Sequence, residues 1–291
     1  MIGIIGGTGL YALPGLVEDE WRRVESPFGE PSDALLFGRL GEHRIVFLPR
    51  HGRGHRIPPH EIPFRANIDA LKRAGATAVL SMSAVGSLRA ELTPGTFVLI
   101  DQFIDRTLRG PKTFFGTGCV AHVSMAHPTC ARVRGDLAAA GAAIGVPLVL
   151  GGTYVVMEGP QFSSAAESEM HRQLGCDVVG MTNMPEAKLA REAELCYATV
   201  AMVTDFDCWH PDHDHVVVDE VVRVLIANSD RARALIAAAV PLLGGHTEPC
   251  PGGCDRALDH ALLTAEDARD PELVRRLDAV AGRVLRRDAR P

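Results

Sequence analysis

Short apolar runs alternate with helix-period stretches along this chain, and that alternation constrains its fold more than any single motif. Such a pattern argues for an α/β architecture. Met1 to Ile5 reads as a strand stopped by Gly6-Gly7-Thr8-Gly9. Ala34 to Phe37 and Arg44 to Leu48 read as a hairpin-like pair, and Ala78 to Met82 as a buried strand. Further strands are expected at 97–101, 154–157, 178–181 and 196–203. Between them, 64–74 and 130–144 carry helical periodicity, and Ser164 with Glu167 forms a capping box that opens a helix to Leu174. Another helix starts at Asn183-Met184-Pro185-Glu186, and 219–243 and 271–285 read as long helices. The 291 residues allow one large domain. Residues 1–244 are expected to form it. Residues 245–291 read as a C-terminal extension, a cysteine-containing loop and a final helix, packed on the same domain.

A net charge of −6, without a Lys/Arg stripe interleaved with aromatics, argues against nucleic acid as a partner, so any anion site must be local. The first apolar stretch is broken by Gly3, Gly6, Gly7, Gly9 and Pro14 and lacks a basic leader. No apolar run approaches a membrane span. A cytoplasmic protein with no membrane partner is the expectation. Seven scattered cysteines read mostly as reduced core thiols. Cys250-Pro-Gly-Gly-Cys254, with His246 and His260 nearby, leaves a metal cluster, a short-loop disulfide and two free thiols open. Two free thiols and no metal are expected.

Four strand ends carry donors for an anion. Thr8 follows the first strand among glycines that let backbone N–H groups approach. Arg50-His51 follows the strand ending near Leu48, and an Arg fork grips two phosphate oxygens at once. Ser83-Ala84 closes the next strand, and Met181-Thr182 precedes a helix start whose dipole favours an anion. In α/β folds ligands gather at strand C-terminal ends. Gly7-x-Gly9-x-x-Ala12 also matches a loose dinucleotide fingerprint. A nicotinamide-dependent dehydrogenase would leave Arg50-His51 and the acids described next unexplained.

The run 196–203 ends in Thr204-Asp205-Phe206-Asp207-Cys208-Trp209. Acids two residues apart on an extended segment face one way. An adenine edge suits such a pair: its exocyclic amine donates, and its N7 must gain a proton before the base departs. His210, His213 and His215, beside Asp212 and Asp214, fit a metal site or a hydrated lid.

Taken in order, Gly-Gly-Thr-Gly, Arg50-His51-Gly, Ser83-Ala84-x-Gly86-Ser87, Glu158-Gly159-Pro160-x-Phe162-Ser163, Met181-Thr182-x-x-Pro185-Glu186 and Thr204-Asp205-x-Asp207-Cys208-Trp209 resemble the purine nucleoside phosphorylase superfamily, in particular its 5′-methylthioadenosine phosphorylase branch. The resemblance covers residues 2 to about 240. It implies a trimeric, single-domain α/β fold whose central mixed sheet curls toward a barrel flanked by helices. It implies reversible phosphorolysis of a purine nucleoside, with phosphate as co-substrate and no metal or organic cofactor. Carried over by position, it implies phosphate binding by Thr8, Arg50, His51, Ser83, Ala84 and Thr182. It places Phe162 against the base, Met181 against the sugar and Ser163 at the base edge, with Asp205 and Asp207 catalytic at N7 and the 6-amino group. His122, from a neighbouring subunit, would line the 5′ end with His55, Val218 and Val222. Two acids imply preference for 6-aminopurines, and an apolar 5′ pocket implies a methylthio group. A general purine nucleoside or 5′-deoxyadenosine phosphorylase is the alternative. Ser83 stands where some relatives have Thr, and Gln161 where others have Arg.

Overall fold

The computed structural model describes residues 1–7, 10, 13–211 and 216–286, with only the backbone of 18 and 19. Among the described residues, eleven strands form one mixed sheet. In chain order they are β1 (Ile2–Gly6), β2 (Leu16–Arg22), β3 (Leu35–Leu40), β4 (His43–Pro49), β5 (Ala78–Ser87), β6 (Phe97–Leu99), β7 (Gln102–Asp105), β8 (Leu148–Leu150), β9 (Thr153–Val156), β10 (Val178–Gly180) and β11 (Cys196–Asp205). The helices are α1 (Phe64–Arg73), α2 (Ala131–Ala143), α3 (Ala165–Gln173), α4 (Asn183–Glu192), α5 (Val218–Gly244), α6 (Pro271–Arg276) and α7 (Gly282–Leu285). No helix of the described residues is long and apolar enough to cross a membrane.

Strand β5 organises the sheet. It pairs in parallel with β1 along its first half and with β11 along nearly its whole length, and its last two residues pair antiparallel with β10. Strand β4 runs parallel to β1 on the other side. Thus β1, β4, β5 and β11 point the same way and deliver their C-terminal ends to one side of the molecule. Both faces of these strands are covered, which is why they read as unbroken apolar runs rather than alternating ones. Ile5, Val79 and Tyr197 pack into one buried cluster with Ile68 of α1 and Leu189 of α4. Ile4, Leu80 and Ala198 pack on the opposite face with Leu137 of α2 and Leu235 of α5.

Most expected elements are present within a residue or two. Strands β2, β7 and β8 were not anticipated. The expected helix over 271–285 is divided: Asp270 caps α6 by accepting from Glu272 N at 2.8 Å, the chain turns after Arg276, and α7 begins at Gly282. The turn buries Leu277, Val280 and Ala281, which join the cluster that holds Ile5 and Val79. Burial of those three side chains overrides the helical propensity of the stretch.

The capping box on α3 is present. Ser164 Oγ accepts from Glu167 N, and the Glu167 carboxylate accepts from Ser164 N at 2.8 Å. It fixes the end of the loop bearing Phe162 and Ser163. Replacing Ser164 by Ala is expected to cost ~1 kcal/mol of local helix stability. Hydrogen exchange over 162–168 should quicken while the β5 core stays protected; unchanged exchange in that loop would refute the role.

Candidate active site

Arg50 follows β4, and its backbone N donates to Gly6 O at the end of β1. Its side chain is buried and reaches under β5. Nε and Nη2 donate to the two Glu186 carboxylate oxygens at 2.8 and 3.1 Å, Nη2 also to Ser81 Oγ at 2.5 Å, and Nη1 to Met82 O at 2.9 Å. These bonds use four of the five guanidinium N–H groups. One Nη1–H is left without a partner among the described residues. Burial opposes the charge of Arg50, but the Glu186 carboxylate outweighs it and raises the pKa.

Beside this guanidinium lies a cluster of hydroxyls. Ser83 Oγ shares hydrogen bonds with Thr182 Oγ1 at 3.0 Å and with Tyr154 Oη at 3.1 Å. All three residues are buried. Thr182 sits at the N-terminus of α4, where free backbone N–H groups gather. His51 adjoins Arg50. Its Nδ1–H donates to Ile57 O at 2.9 Å, and its ring stacks on His55 at 4.3 Å. Burial lowers the His51 pKa to about 4, so the ring is neutral near pH 7 and presents Nε2 as an acceptor. Arg50 bonds to Ser81 and Met82, and the adjacent Ser83 bonds to Thr182, so these groups lie together, with His51 and Ala84 as their chain neighbours. Thr8 lies outside the described residues, as do Gly9, Ala12, His213 and His215.

The two aspartates lie farther along β5. Asp205 is in register with Gly86, three residues beyond Ser83, a distance of roughly 10 Å along the strand. A register shift between Val203 and Asp205 re-aims the end of β11. The pair does not share the face of a straight pleat, as the spacing predicts. The chain leaves β11 after Asp205, and Asp207 takes a left-handed φ of 51°. Asp207 N then donates to Asp205 Oδ1 at 2.8 Å, a turn closed by a side chain that brings the acids together. Asp205 Oδ2 accepts from Thr204 Oγ1 at 2.8 Å. Burial raises the Asp205 pKa, with the Asp207 charge adding to the effect. Asp207 is 4% exposed, and its Oδ2 has no partner among the described residues. A buried, unpaired carboxylate oxygen is costly and is waiting for a donor. The acids border a cavity of about 160 Å³ lined also by Pro94, Val216, Val217 and Val224.

The remaining candidates are more dispersed. Met181 packs on Gly159, where a Cβ would collide with its sulfur. Its carbonyl accepts from Arg109 Nη1 at 2.8 Å. Phe162 is 43% exposed, and Ser163 Oγ donates to Met157 Sδ at 3.6 Å. Val218 and Val222 are exposed on α5 and do not line the aspartate cavity; Val217 and Val224 face it instead. His122 borders a separate hollow with Lys112, Lys188 and Glu192. Sequence reasoning passed over Tyr154 and the braces Ser81, Asn183 and Tyr197. It also gave Arg109 and Glu186 no role. Arg109 spends all five donors on Pro59 O, Met157 O, Glu158 O, Met181 O and Glu158 Oε2, so it fixes the loop leading to Phe162. Glu186 stood in a quoted motif, and its place one residue after a proline at a helix start was the available signal.

Residues 1–241 match the profile of the phosphorylase superfamily. This chain belongs to that superfamily. It is 61% identical over 286 residues to an S-methyl-5′-thioadenosine phosphorylase of Bradyrhizobium diazoefficiens, covering 98% of both chains. It is 58% identical to one from Cereibacter sphaeroides, covering 98% of this chain and 99% of that one. Its structure superposes on a methylthioadenosine phosphorylase from an antarctic soil metagenomic library with TM-score 0.90 at 46% identity, over 96% of this chain and 98% of that one. A Schistosoma mansoni methylthioadenosine phosphorylase in complex with adenine gives 0.84 at 37% identity, over 92% of this chain and 98% of that one.

Within this superfamily member, Gly86 is required for the aspartates to close on β5. A Cβ there would meet Asp205 Oδ1 at 2.8 Å and Asp207 Cβ at 3.4 Å. Gly86→Ala should lower kcat/KM at least tenfold, about 1.4 kcal/mol of transition-state stabilisation, with a much smaller shift in Tm. Wild-type kinetics in that variant would remove Asp205 from the site.

Proposed function

We propose that this chain catalyses the reversible phosphorolysis of 5′-methylthioadenosine. Phosphate adds to C1′ as the C1′–N9 bond breaks, giving adenine and 5-methylthioribose 1-phosphate. One observation carries the reading: a cation-and-hydroxyl cluster and a pair of acids lie roughly 10 Å apart along β5, a separation that suits a nucleoside with phosphate against its sugar. The names of the relatives point to the same substrate.

The free Nη1–H of Arg50, the hydroxyls of Ser83 and Thr182, and the α4 N-terminus take the phosphate. Ala84 contributes backbone, and Thr8 is assigned here by its place in the sequence. Neutral His51 accepts a proton-bearing phosphate oxygen at Nε2, or gains a proton once the anion offsets its burial. Positive charge grows on the sugar as the bond breaks, and the phosphate beside it stabilises that charge. Negative charge grows on the base, and a proton at N7 relieves it. Asp205, with its raised pKa, delivers that proton, and the unpaired Asp207 Oδ2 accepts from the 6-amino group. Phe162 and Ser163 bound the base, and Met181 the sugar. Phosphate is the co-substrate, and we assign no metal or organic cofactor to the reaction.

Val218 and Val222 lie outside the aspartate cavity of their own chain. A 5′ pocket built from them, His55 and a neighbour's His122 needs a second copy. From the family resemblance we assign the working form as a homotrimer, acting in the cytoplasm on small molecules alone and serving the recovery of purine and methionine. The exposed row Val218, Val222 and Ile226 on α5 offers an apolar contact. A monomer by light scattering at assay concentrations would defeat this assembly. The same exposure favours a second reading, a broader purine nucleoside or 5′-deoxyadenosine phosphorylase. A panel of 5′-methylthioadenosine, 5′-deoxyadenosine, adenosine and inosine separates the two. An apolar pocket rejects an added hydroxyl only by about a hundredfold, so slow adenosine turnover is expected.

Adenine release from 5′-methylthioadenosine should require phosphate, and Asp207→Asn should weaken 6-aminopurine nucleosides far more than 6-oxopurine ones. An unchanged preference would detach Asp207 from the amine. The pH profile tests Asp205 separately. Its acid form is lost as pH rises through its raised pKa, so kcat/KM should fall on the alkaline side, and Asp205→Asn should abolish that limb along with most activity. A limb that persists in the variant belongs to another group.

A further inference from the structure

Four cysteines from three distant parts of the chain meet at the end of the sheet remote from the aspartates. Cys130 precedes α2, Cys196 opens β11, and Cys250 and Cys254 flank a turn beyond α5. All four are buried, and their Sγ atoms lie within 4.8 Å of one another. Cys130 and Cys250 sulfurs are 3.6 Å apart. Four thiolates around one zinc ion, each about 2.3 Å from the metal, have edges of roughly 3.8 Å. The same group as two disulfides would draw together pairwise to about 2.05 Å. The neighbours fit thiolates. Arg132 Nη2 donates to Cys196 Sγ at 3.7 Å, and Arg191 Nη1 to Cys254 Sγ at 3.4 Å. Four thiolates and one divalent ion carry a net charge of −2, which two guanidinium groups balance. Buried thiols serving only as apolar filler would not call for cationic donors. The turn is prepared as well. Gly253 takes a left-handed φ of 68°, its N donates to Cys250 O at 2.9 Å, and Cys250 N donates to Asp255 Oδ2 at 2.9 Å.

We propose that Cys130, Cys196, Cys250 and Cys254 form a closed tetrathiolate site for zinc that pins the residues after α5 to the starts of α2 and β11. The histidines flagged beside Cys250 in the sequence are not part of it: His246 Nε2 pairs with Asp136 at 2.7 Å, and His260 is exposed. Zinc here would take the place of the free thiols without metal expected from the sequence, and no disulfide joins any of the four cysteines. All-sulfur ligation excludes calcium and magnesium, which take oxygen ligands. A multi-iron cluster would hold the thiolates farther apart than they lie. Four protein ligands leave no open position, so the ion is structural. It sits at the opposite end of β11 from Asp205, roughly 30 Å of strand away.

The full chain, purified without chelator, should carry one zinc ion by elemental analysis. Cobalt exchanged into it should show near-ultraviolet thiolate-to-metal charge transfer and the visible bands of tetrahedral cobalt. Stripping the metal should lower Tm, and zinc should restore it. His246→Ala and His260→Ala should keep full metal content, whereas Cys250→Ser should lose the charge-transfer intensity. If Cys250→Ser fails to fold, the wild-type cobalt spectrum still decides. A folded protein that takes up neither ion when supplied, or peptide mapping that finds these cysteines joined as disulfides in metal-supplied protein, overturns the proposal.

Discussion

The ion pair between Arg50 and Glu186 sets the positions of most groups in the site. Both side chains are almost wholly buried, 2.8 Å apart. Removing two charges from water costs several kcal/mol per ion, and their attraction offsets this only with good geometry and further hydrogen bonds. Those bonds are present. Ser81 Oγ and Tyr197 Oη both donate to Glu186 Oε1, at 2.7 and 2.9 Å, and Asn183 Nδ2 donates to Ser81 Oγ at 3.0 Å. The network joins β4, β5, α4 and β11, so a shift in any one would leave a buried charge unpaired. Its product is orientation: the last N–H of Arg50 and the start of α4 are held in fixed relation to Ser83. Groups held this way do not have to reorganise to receive the phosphate of the proposed reaction.

Strand β5 turns that local order into a functional distance. It carries Ser81 and Met82 in the network, Ser83 among the hydroxyls and Gly86 against the aspartates. The two ends of this short segment have opposite electrostatic character. One offers a cation, hydroxyls and a helix start. The other offers two acids, one with an elevated pKa and one with an unpaired oxygen. A molecule spanning them must present an anion to the first and hydrogen-bond donors to the second. A nucleoside with phosphate against its sugar does both.

Strand ends were legible in the sequence because polar donors there interrupt apolar runs. Arg50-His51, Ser83 and Thr182 stand out for that reason, and so do Asp205 and Asp207. Residues such as Tyr154, Ser81 and Tyr197 were not legible, because a polar side chain inside an apolar run reads as part of the core. Only the three-dimensional neighbour shows that its hydroxyl is in use. The aspartates were found for partly the wrong reason: a straight strand would align them, whereas the structure uses a register shift and a left-handed residue. Val218 and Val222 were carried over from the family resemblance to the 5′ end, and both are exposed on α5. Cys130, Cys196 and the Cys250–Cys254 turn are each separated by more than fifty residues of chain, and no spacing rule joins Cys130 to Cys250.

The same strand carries the consequences of both ends. Strand β11 begins at Cys196, donates Thr199 Oγ1 to Ser81 O at 3.0 Å in its middle, and finishes at Asp205. Its register with β5 holds without a break from Cys196 to Val203, so any slip at the start would carry through to the bulge that aims Asp205. The extension after α5 acts on that start from one face through the cysteine turn. From the other, Glu194 accepts from Leu258 N at 2.9 Å and pairs with Arg283. Residues remote from the reacting atoms thereby constrain where the acids sit. That role gives a physical reason for a catalytic sheet to keep a C-terminal extension anchored at the end opposite its chemistry.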